Sequence, residues 1–283
     1  MEYAAPTTVD EARTLLADNP GSRVFAGATD VVPQMRSGRP EPSVLIDLKR
    51  IDRLMSVAHD NGHWTIGAAM PTSELTSNGE FASVFPGISE GAGWIGSDQI
   101  QNRSSLGGNL CNGSPAADSV PAMIASEARA VIAGTDGERT IPVADVVTGP
   151  GQLSLADGEF VVEFEIEDPP ARTGDAYIRM TPRTEMDIAI VGAAVRVTMD
   201  GDTCTDARVV LGAVAPTAVR VPDAEAALIG SSLDEAALAE VAAAASAAAN
   251  PINDKRGTIE YRVQVAGVLA KRAAVLAAER ACA

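Results

Sequence analysis

Two glycine-containing loops hold the residues most suited to binding phosphate. The first, "FAGATD", runs from Phe25 to Asp30, and the second, "SSLGGNLCNGSPAAD", runs from Ser104 to Asp118. Glycine lets the backbone adopt a positive φ and approach a ligand closely, so that unpaired amides converge on phosphate oxygens beside a Ser or Thr hydroxyl. One such loop is more often a plain turn. Two in one apolar domain favour a ligand with two phosphates.

Neither loop carries a common nucleotide-binding motif. The second loop opens onto "SVPAMIASEA", which predicts a helix, but no Gly-Lys-Ser/Thr run marks a Walker loop and no GxGxxG lies in a βαβ unit. Helix ends and the side chains of Arg103, Arg179 or Arg183 could balance the negative charge. The sequence therefore predicts a two-phosphate ligand bound outside a Rossmann frame.

The cysteines and histidines are too few for most other chemistry. Cys111, Cys204 and Cys282 are odd in number and fit no CxxC spacing, which argues against a disulfide framework, a zinc site and an iron–sulfur site. His59 and His63, the only histidines, flank "DNG", which predicts a solvated turn. A catalyst this short of histidine and reactive cysteine is expected to take its chemistry from a cofactor.

Composition limits the class of protein. A chain of 283 residues with 46% apolar content can bury a large core in one or two domains. A net charge of −16 disfavours a nucleic-acid-binding surface. No apolar run approaches the roughly 20 residues of a membrane span, and "MEYAAPTTVDEA" lacks the blocks of a signal peptide. We therefore expect a cytoplasmic protein with no membrane span and no nucleic-acid partner.

The first 170 residues predict mixed helices and strands. Thr8 and Glu11 have capping-box spacing at the start of a helix, and strands are predicted at "RVFA", "SVLIDL", "HWTIGAAM", "ARAVIAG", "RTIPVADV" and "GEFVVEFEIE". In the last of these, alternate apolar residues from Phe160 to Ile166 predict a half-buried strand. The intervening glutamates predict a solvated acidic face instead of a metal or catalytic cluster.

The C-terminal third predicts strands followed by helices. "EDPPARTGD" reads as a linker, and three strands follow at "AYIRM", "DIAIVGAAVRVTM" and "CTDARVVLGAV". Ser232 and Glu235 are predicted to cap an alanine-rich helix. The final long helix is predicted to bury a face that contains Val265, Val268, Leu269 and Leu276. Strands that precede helices favour an α+β part over alternating βαβ units.

Four segments resemble one known family in order and spacing: "FAGATDVVPQM", "QIQNRSSLGGNLCNGSPAAD", "YIRMTPRTEMDIAIV" and "TIEYRVQVAGVLAKRA". The chain is similar, over essentially its whole length, to the FAD-binding medium subunit of the molybdenum hydroxylases, the family of xanthine dehydrogenase and aerobic carbon monoxide dehydrogenase. The resemblance implies an α+β fold with a two-part FAD-binding domain (PCMH-type) at 1–170, divided at 55/56. A C-terminal domain at 171–283 would carry a three-stranded sheet with a helical bundle.

The resemblance also implies FAD as the cofactor and a set of FAD-binding residues. Amides of the first loop and residues of the second would bind the pyrophosphate, Asp118 would bind the sugar-like chain, and Ile95 and Arg179 would lie near the ring. The alternatives are a helix N-cap for Asp118, core packing for Ile95 and an exposed strand arginine for Arg179. The implied FAD-binding residues are Phe25, Ala26, Gly27, Ala28, Thr29, Asp30, Val31, Ile95, Ser105, Gly107, Gly108, Asn109, Cys111, Asp118, Val161 and Arg179.

Some positions depart from the family pattern. Ala28 replaces the second glycine of the usual Gly-Gly pair, which costs roughly 1 kcal/mol or more if the site needs a positive φ. Gln101 stands where arginine is common, and Ser105 where threonine is common. No cysteine-bearing insertion is present, so the additional iron–sulfur cluster of some relatives is not expected.

The function implied is that of an oxidoreductase subunit, with no catalytic side chain and no metal of its own. It would pass electrons from the 2Fe-2S clusters of a small partner subunit through FAD to an external acceptor. A molybdopterin-binding large subunit would oxidise the substrate, and the three chains would form a heterotrimer, which could pair into a dimer of heterotrimers. Two alternatives stay open: a stand-alone FAD-dependent reductase of related fold, and a non-enzymatic nucleotide-binding module.

Overall fold

The computed structural model describes all 283 residues and contains four β-sheets with helices packed between and against them. The mixed content of separate sheets and helices confirms the predicted α+β class. Buried apolar residues form three clusters along the chain. None of the helices combines the length and apolar character that crossing a bilayer requires.

The first part is a small parallel sheet with two helices. Its elements are β1 (Glu2–Ala4), α1 (Val9–Asp18), β2 (Arg23–Phe25), α2 (Val31–Arg36) and β3 (Val44–Asp47), followed by two short 3-10 helices. The strands pair in the order β1–β3–β2, with both pairings parallel. As predicted, the hydroxyl of Thr8 caps α1 by accepting from the Glu11 amide at 3.1 Å. The first glycine loop therefore connects β2 to α2.

The second part is a five-stranded antiparallel sheet covered by short helices. The elements are β4 (Val57–Asp60), β5 (His63–Gly67), α3 (Thr72–Ser77), α4 (Gly79–Val84), α5 (Pro86–Gly93), α6 (Asp98–Gln101), α7 (Leu106–Cys111), α8 (Ser119–Ala125), β6 (Arg129–Gly134), β7 (Gly137–Pro142), β8 (Val147–Gly149), β9 (Gln152–Leu153) and β10 (Phe160–Glu167). The sheet has the order β4–β5–β10–β6–β7, and β8 and β9 form a separate hairpin. The second glycine loop lies in the helical layer, between α6 and α8.

Strand β10 contributes to two cores. Its pairing with β6 shifts register between Val161 and Glu163, where a bulge changes the face on which later side chains point. Phe160 therefore packs in the cluster of the first part, while Phe164 packs in the cluster of the second part. The predicted solvated acidic face is wrong at Glu163, which is buried and ion-paired with Arg53 at 2.6 Å. The alternation gave no sign of the bulge.

The third part is an antiparallel sheet with three helices. The elements are β11 (Thr173–Met180), β12 (Val191–Asp200), β13 (Thr203–Gly212), β14 (Val219–Arg220), α9 (Pro222–Leu228), α10 (Glu235–Ala248) and α11 (Ile259–Ala281). The sheet has the order β11–β12–β13–β14, so the three predicted long strands are joined by a two-residue fourth. The segment predicted as a linker is shorter than expected, because β11 already begins at Thr173.

Small residues set the packing of the C-terminal helices. Helix α11 buries mainly alanines, including Ala270 and Ala274, whereas Val268 of the predicted apolar face is 41% exposed. Alanine lets the helix lie close to the sheet: a Cβ on Gly174 of β11 would fall 2.2 Å from a carbonyl oxygen of α11. The predicted cap of α10 is also displaced, since Asp234 accepts from an amide of the first turn.

Candidate functional site

A cavity of about 470 Å³ lies between the first and second parts. Strand β2 and the loop that follows it form one wall. The opposite wall comes from the start of α7, the residues after β5, strand β10 and the β8–β9 hairpin region. The two glycine loops singled out from the sequence therefore face the same space.

Fourteen of the sixteen predicted binding residues line this cavity, and Asp118 and Arg179 do not. The fourteen come from segments that are far apart along the chain. They are Phe25, Ala26, Gly27, Ala28, Thr29, Asp30, Val31, Ile95, Ser105, Gly107, Gly108, Asn109, Cys111 and Val161.

The first glycine loop presents amides that have no partner in the protein. The backbone N–H groups of Gly27, Ala28, Thr29 and Asp30 donate to no protein acceptor. Ala28 has a φ of 61°, so the position does require the left-handed conformation that an alanine adopts at a cost. The loop is therefore held in a strained form that leaves four successive donors beside the cavity.

Gly27 serves the contact between the two loops. A Cβ at this position would lie 2.1 Å from the carbonyl oxygen of Arg103. Glycine is therefore required at position 27 because the backbone that leads into the second loop leaves no room for a Cβ. A ligand that approached the same position would be a second reason for glycine. Any larger residue would push the two loops apart.

The two glycines of the second loop have different surroundings. A Cβ on Gly107 would lie 2.5 Å from the carbonyl oxygen of Ala68, and the Gly107 amide donates to that oxygen at 3.0 Å. A Cβ on Gly108 would meet only the Ser105 hydroxyl, at 3.3 Å. That hydroxyl accepts from the Gly108 amide and caps α7. Gly107 thus fits the loop to the end of β5, whereas Gly108 is exposed toward the cavity side.

The N-terminus of α8 is capped by Asn109, and not by the side chain of Asp118. The Asn109 carboxamide oxygen accepts from the hydroxyl of Ser119 at 2.8 Å and from its amide at 3.3 Å. Asp118 occupies the N-cap position without a side-chain cap bond. The predicted N-cap position of Asp118 is therefore confirmed, but the side chain of Asn109 from the preceding helix accepts the cap hydrogen bonds.

Asp118 and Arg179 form a buried ion pair next to an exposed tryptophan. Asp118 accepts from the Tyr177 hydroxyl at 2.8 Å and from Arg179 Nη1 at 2.7 Å. Burial raises the pKa of Asp118 to about 6, although the Arg179 guanidinium opposes that shift. The Arg179 guanidinium also lies 4.7 Å from the ring centroid of Trp94. Because only 3% of its side chain is exposed, the alternative of an exposed strand arginine is wrong.

Arg179 retains donors that nothing in the protein accepts. Its Nε and Nη2 atoms are buried and have no hydrogen-bond partner. An unpaired buried donor is costly, and such groups are rare in native proteins. Trp94 directly follows α5 and is 42% exposed.

Twelve further residues line the cavity without having been predicted. Arg23 and Val24 lie on the strand that directly precedes the first loop. Their position next to a glycine loop could have predicted that they line the cavity. The hairpin region at 151–155 has no chemical signature in the sequence. The twelve are Arg23, Val24, Leu48, Ala68, Ala69, Ser104, Asn112, Gly151, Leu153, Leu155, Glu159 and Phe160.

His59 and Cys111 supply no reactive side chain to the cavity. His59 is not simply solvated, because its ring stacks on Trp64 at 4.3 Å and its two nitrogens lie near the carboxylates of Glu80 and Asp168. Burial raises the pKa of Cys111 to about 12, so this cavity thiol stays protonated at neutral pH. Neither residue brings a reactive group into the cavity.

Two family profiles match the chain. The profile described as "FAD binding domain in molybdopterin dehydrogenase" matches residues 1–169, and the profile described as "CO dehydrogenase flavoprotein C-terminal domain" matches residues 176–277. The first match contains both glycine loops.

Individual proteins are similar over nearly the whole chain. The carbon monoxide dehydrogenase medium chain of Hydrogenophaga pseudoflava is 33% identical over 274 residues, which cover 96% of this chain and 95% of that protein. The 6-hydroxypseudooxynicotine dehydrogenase complex subunit alpha of Paenarthrobacter nicotinovorans is 31% identical over 283 residues, covering 99% and 95%.

A solved structure shares the fold. The structure of carbon monoxide dehydrogenase from Hydrogenophaga pseudoflava that lacks the Mo-pyranopterin moiety of the molybdenum cofactor contains a chain similar to this one. The TM-score is 0.94 at 34% identity, over 99% of this chain and 98% of that chain. Sequence and fold therefore lead to the same group of proteins.

Proposed function

Since this chain belongs to the family of FAD-binding medium subunits of the molybdenum hydroxylases, we propose that it carries electrons within a complex of that kind. It is an oxidoreductase subunit with FAD as its cofactor. The chemistry that FAD supplies when bound is the uptake of electrons from 2Fe-2S clusters of a partner subunit and their release to an external acceptor. The chain's own residues bind and orient the cofactor.

The four free amides of the first loop carry this proposal. They belong to Gly27, Ala28, Thr29 and Asp30, they border the cavity, and no protein atom accepts from them. Backbone donors that converge without an acceptor suit the oxygens of a diphosphate. The Ser105 hydroxyl, held at the start of α7, lies on the opposite wall. These residues fit the pyrophosphate of FAD.

The buried ion pair suits the ring end of the cofactor. Arg179 has two nitrogen atoms without acceptors, and Asp118 accepts from its third nitrogen. We propose that Arg179, which lies outside the cavity lining, places a positive charge near the flavin ring, where it favours negative charge on the ring. Asp118, whose two oxygens can each accept again, is proposed to bind a hydroxyl of the sugar-like chain. Ile95 is proposed to cover an apolar face of the ring.

The proposed assembly is a heterotrimer with a molybdopterin-binding large subunit and a small 2Fe-2S subunit, which can pair into a dimer of heterotrimers. The names of the relatives support it, since they are a medium chain and a subunit of a dehydrogenase complex. We also propose domains at 1–170 and 171–283, with the first divided at 55/56. The separate apolar clusters of the first and third parts support that division.

Two measurements test the proposal. Extraction and chromatography of the native flavin should yield one FAD per chain, with no FMN, because FMN lacks the pyrophosphate. Stopped-flow absorbance should then show no flavin reduction when the isolated chain meets a hydroxylase substrate. Addition of the molybdopterin and 2Fe-2S subunits should restore substrate-dependent reduction.

Either measurement can refute the proposal. Recovery of FMN alone, or of no flavin after reconstitution, would contradict the cofactor site. Substrate oxidation by this chain alone, with reduction of its own flavin, would favour a stand-alone reductase over a subunit.

A further inference from the structure

Arg23 is the only lysine, arginine or histidine among the 26 residues that line the cavity. The other ionisable lining side chains that carry charge at neutral pH are Asp30 and Glu159. Glu159 is neutralised by Arg139, which it meets at 2.7 Å. A diphosphate that enters this cavity brings further negative charge into a chain whose net charge is already −16. Arg23 is therefore the one lining side chain that can offset it.

The Arg23 side chain is held by a hydrogen-bonded relay that spans the cavity walls. Its Nη2 donates to Gln34 Oε1 at 3.1 Å, and Gln34 Nε2 donates to Asn112 Oδ1 at 2.9 Å. Gln34 belongs to α2, which follows the first glycine loop, and Asn112 ends α7, which carries the second. The relay thus ties the arginine to both loop-bearing helices.

A neighbouring carboxylate makes the positive charge more important. Asp30 lines the cavity beside the free amides of the first loop, and its side chain makes no cap bond. Burial raises the pKa of Asp30, and the charge of Arg23 opposes that shift. Without Arg23, no basic side chain of the lining would offset the repulsion between this carboxylate and an incoming diphosphate.

We propose that Arg23 supplies the positive charge that selects a diphosphate-bearing dinucleotide, and that Gln34 and Asn112 position it. This inference rests on the FAD site proposed above and adds a residue that neither glycine motif contains. Arg39 offers a matched control, because it donates to the same Gln34 oxygen at 3.3 Å but does not line the cavity.

Calorimetric titration of the flavin-free full chain with FAD and with ADP tests the proposal. Arg23→Gln should weaken both ligands by the same factor, roughly 10- to 100-fold, because ADP keeps the diphosphate and lacks the flavin. Arg23→Lys should recover a large part of the loss, and Arg39→Gln should leave both affinities within about twofold. Raising NaCl from about 50 mM to about 500 mM should weaken FAD binding less in Arg23→Gln than in the wild type, since salt screens the lost interaction.

Each outcome bears on one claim. If the wild-type chain binds FAD and Arg23→Gln binds both ligands equally well, the role of Arg23 is refuted while the FAD site stands. A loss for FAD without a loss for ADP would also refute it. Failure of the wild-type chain to bind FAD would instead refute the proposed cofactor site. If Arg23→Gln does not fold, Arg23→Lys takes its place in the test. Equal FAD affinities of Arg23→Lys and the wild type at high and low salt would support the electrostatic role. A loss of affinity in Arg23→Lys as large as that expected for Arg23→Gln would overturn it.

Discussion

Replacing Ala28 with glycine should stabilise the protein. Ala28 has a φ of 61° in the first loop, where a Cβ crowds the neighbouring carbonyl oxygen. Glycine adopts this conformation without that penalty. The substitution removes one methyl group at a partly buried position, so its main effect is on backbone strain.

The expected gain is the difference between two opposing effects. Relief of a left-handed alanine gives about 1–2 kcal/mol. The greater freedom of glycine in the unfolded chain takes back about 0.4–1 kcal/mol. The net increase in the free energy of unfolding is therefore about 0–1.6 kcal/mol, and the midpoint of about 0.8 kcal/mol corresponds to a rise in Tm of roughly 1–2 °C for a chain of this size. The affinity for FAD should change less than about threefold, because glycine also adopts the conformation that Ala28 has in this loop.

Thermal and urea unfolding of the flavin-free chain measure this gain, and Ala26→Gly is the control. Ala26 lies in the same loop and does not have a positive φ. Its replacement adds unfolded-state entropy without relieving strain, so it should lower the Tm. If Ala28→Gly lowers the Tm as much as Ala26→Gly, the strain at Ala28 does not exist. A large gain in FAD affinity with no change in stability would show that the strain arises only when the ligand binds.

Four further substitutions test other parts of the structure. Gly108→Val should abolish FAD binding with little change in Tm. Gly107→Val should lower the Tm by several degrees, because its side chain meets the backbone after β5. Flavin content measures the loss of binding, and circular dichroism measures the loss of stability. Arg179→Met leaves the buried Asp118 carboxylate without its cation, which should lower the free energy of unfolding by about 3–5 kcal/mol. Because the loss requires an ionised Asp118, urea unfolding should show a smaller deficit near pH 5 than near pH 8, and an equal deficit at both would contradict a charge effect. The two carboxylates beside His59 raise the pKa of its imidazole in the folded protein. The stability that protonated His59 gives the fold is therefore fully present below the ordinary pKa of 6.5 and is lost as the pH rises through the raised pKa. The Tm difference between wild type and His59→Gln should be larger near pH 5.5 than near pH 9.

The binding loops could be predicted from the sequence because their chemistry is local. Glycines, a hydroxyl and an adjoining helix lie within a few residues of one another, and the cavity lies where both loops meet. The structure nevertheless changes the reason for individual glycines. Gly27 and Gly107 fit backbone against backbone, and only Gly108 is free on the cavity side. A sequence shows that glycine is present, but it does not show what a Cβ would touch.

Other features depend on contacts between distant residues and were not predictable from a pattern. Glu163 looks solvated by alternation, but a bulge and a distant Arg53 bury it as an ion pair. Asp118 holds the predicted N-cap position of α8, but Asn109 accepts the cap hydrogen bonds because α7 and α8 are adjacent in space. In the sequence, Arg23 is an ordinary strand residue, and only the three-dimensional structure shows that it lines the cavity. The domain boundaries and the FAD-binding roles of all sixteen residues stay predictions.

The bulged strand β10 has a consequence for the order in which the chain can fold during synthesis. The core of the first part, which includes Ile46 and Leu54, also contains Phe160 and Val162 from β10. Those two residues leave the ribosome roughly a hundred residues after the first part does, which at about 5–20 residues per second is a delay of about 5–20 s. During that interval, the small parallel sheet lacks two large side chains of its own core. The cavity beside the two glycine loops, which β10 also lines, can form only after that strand has been made.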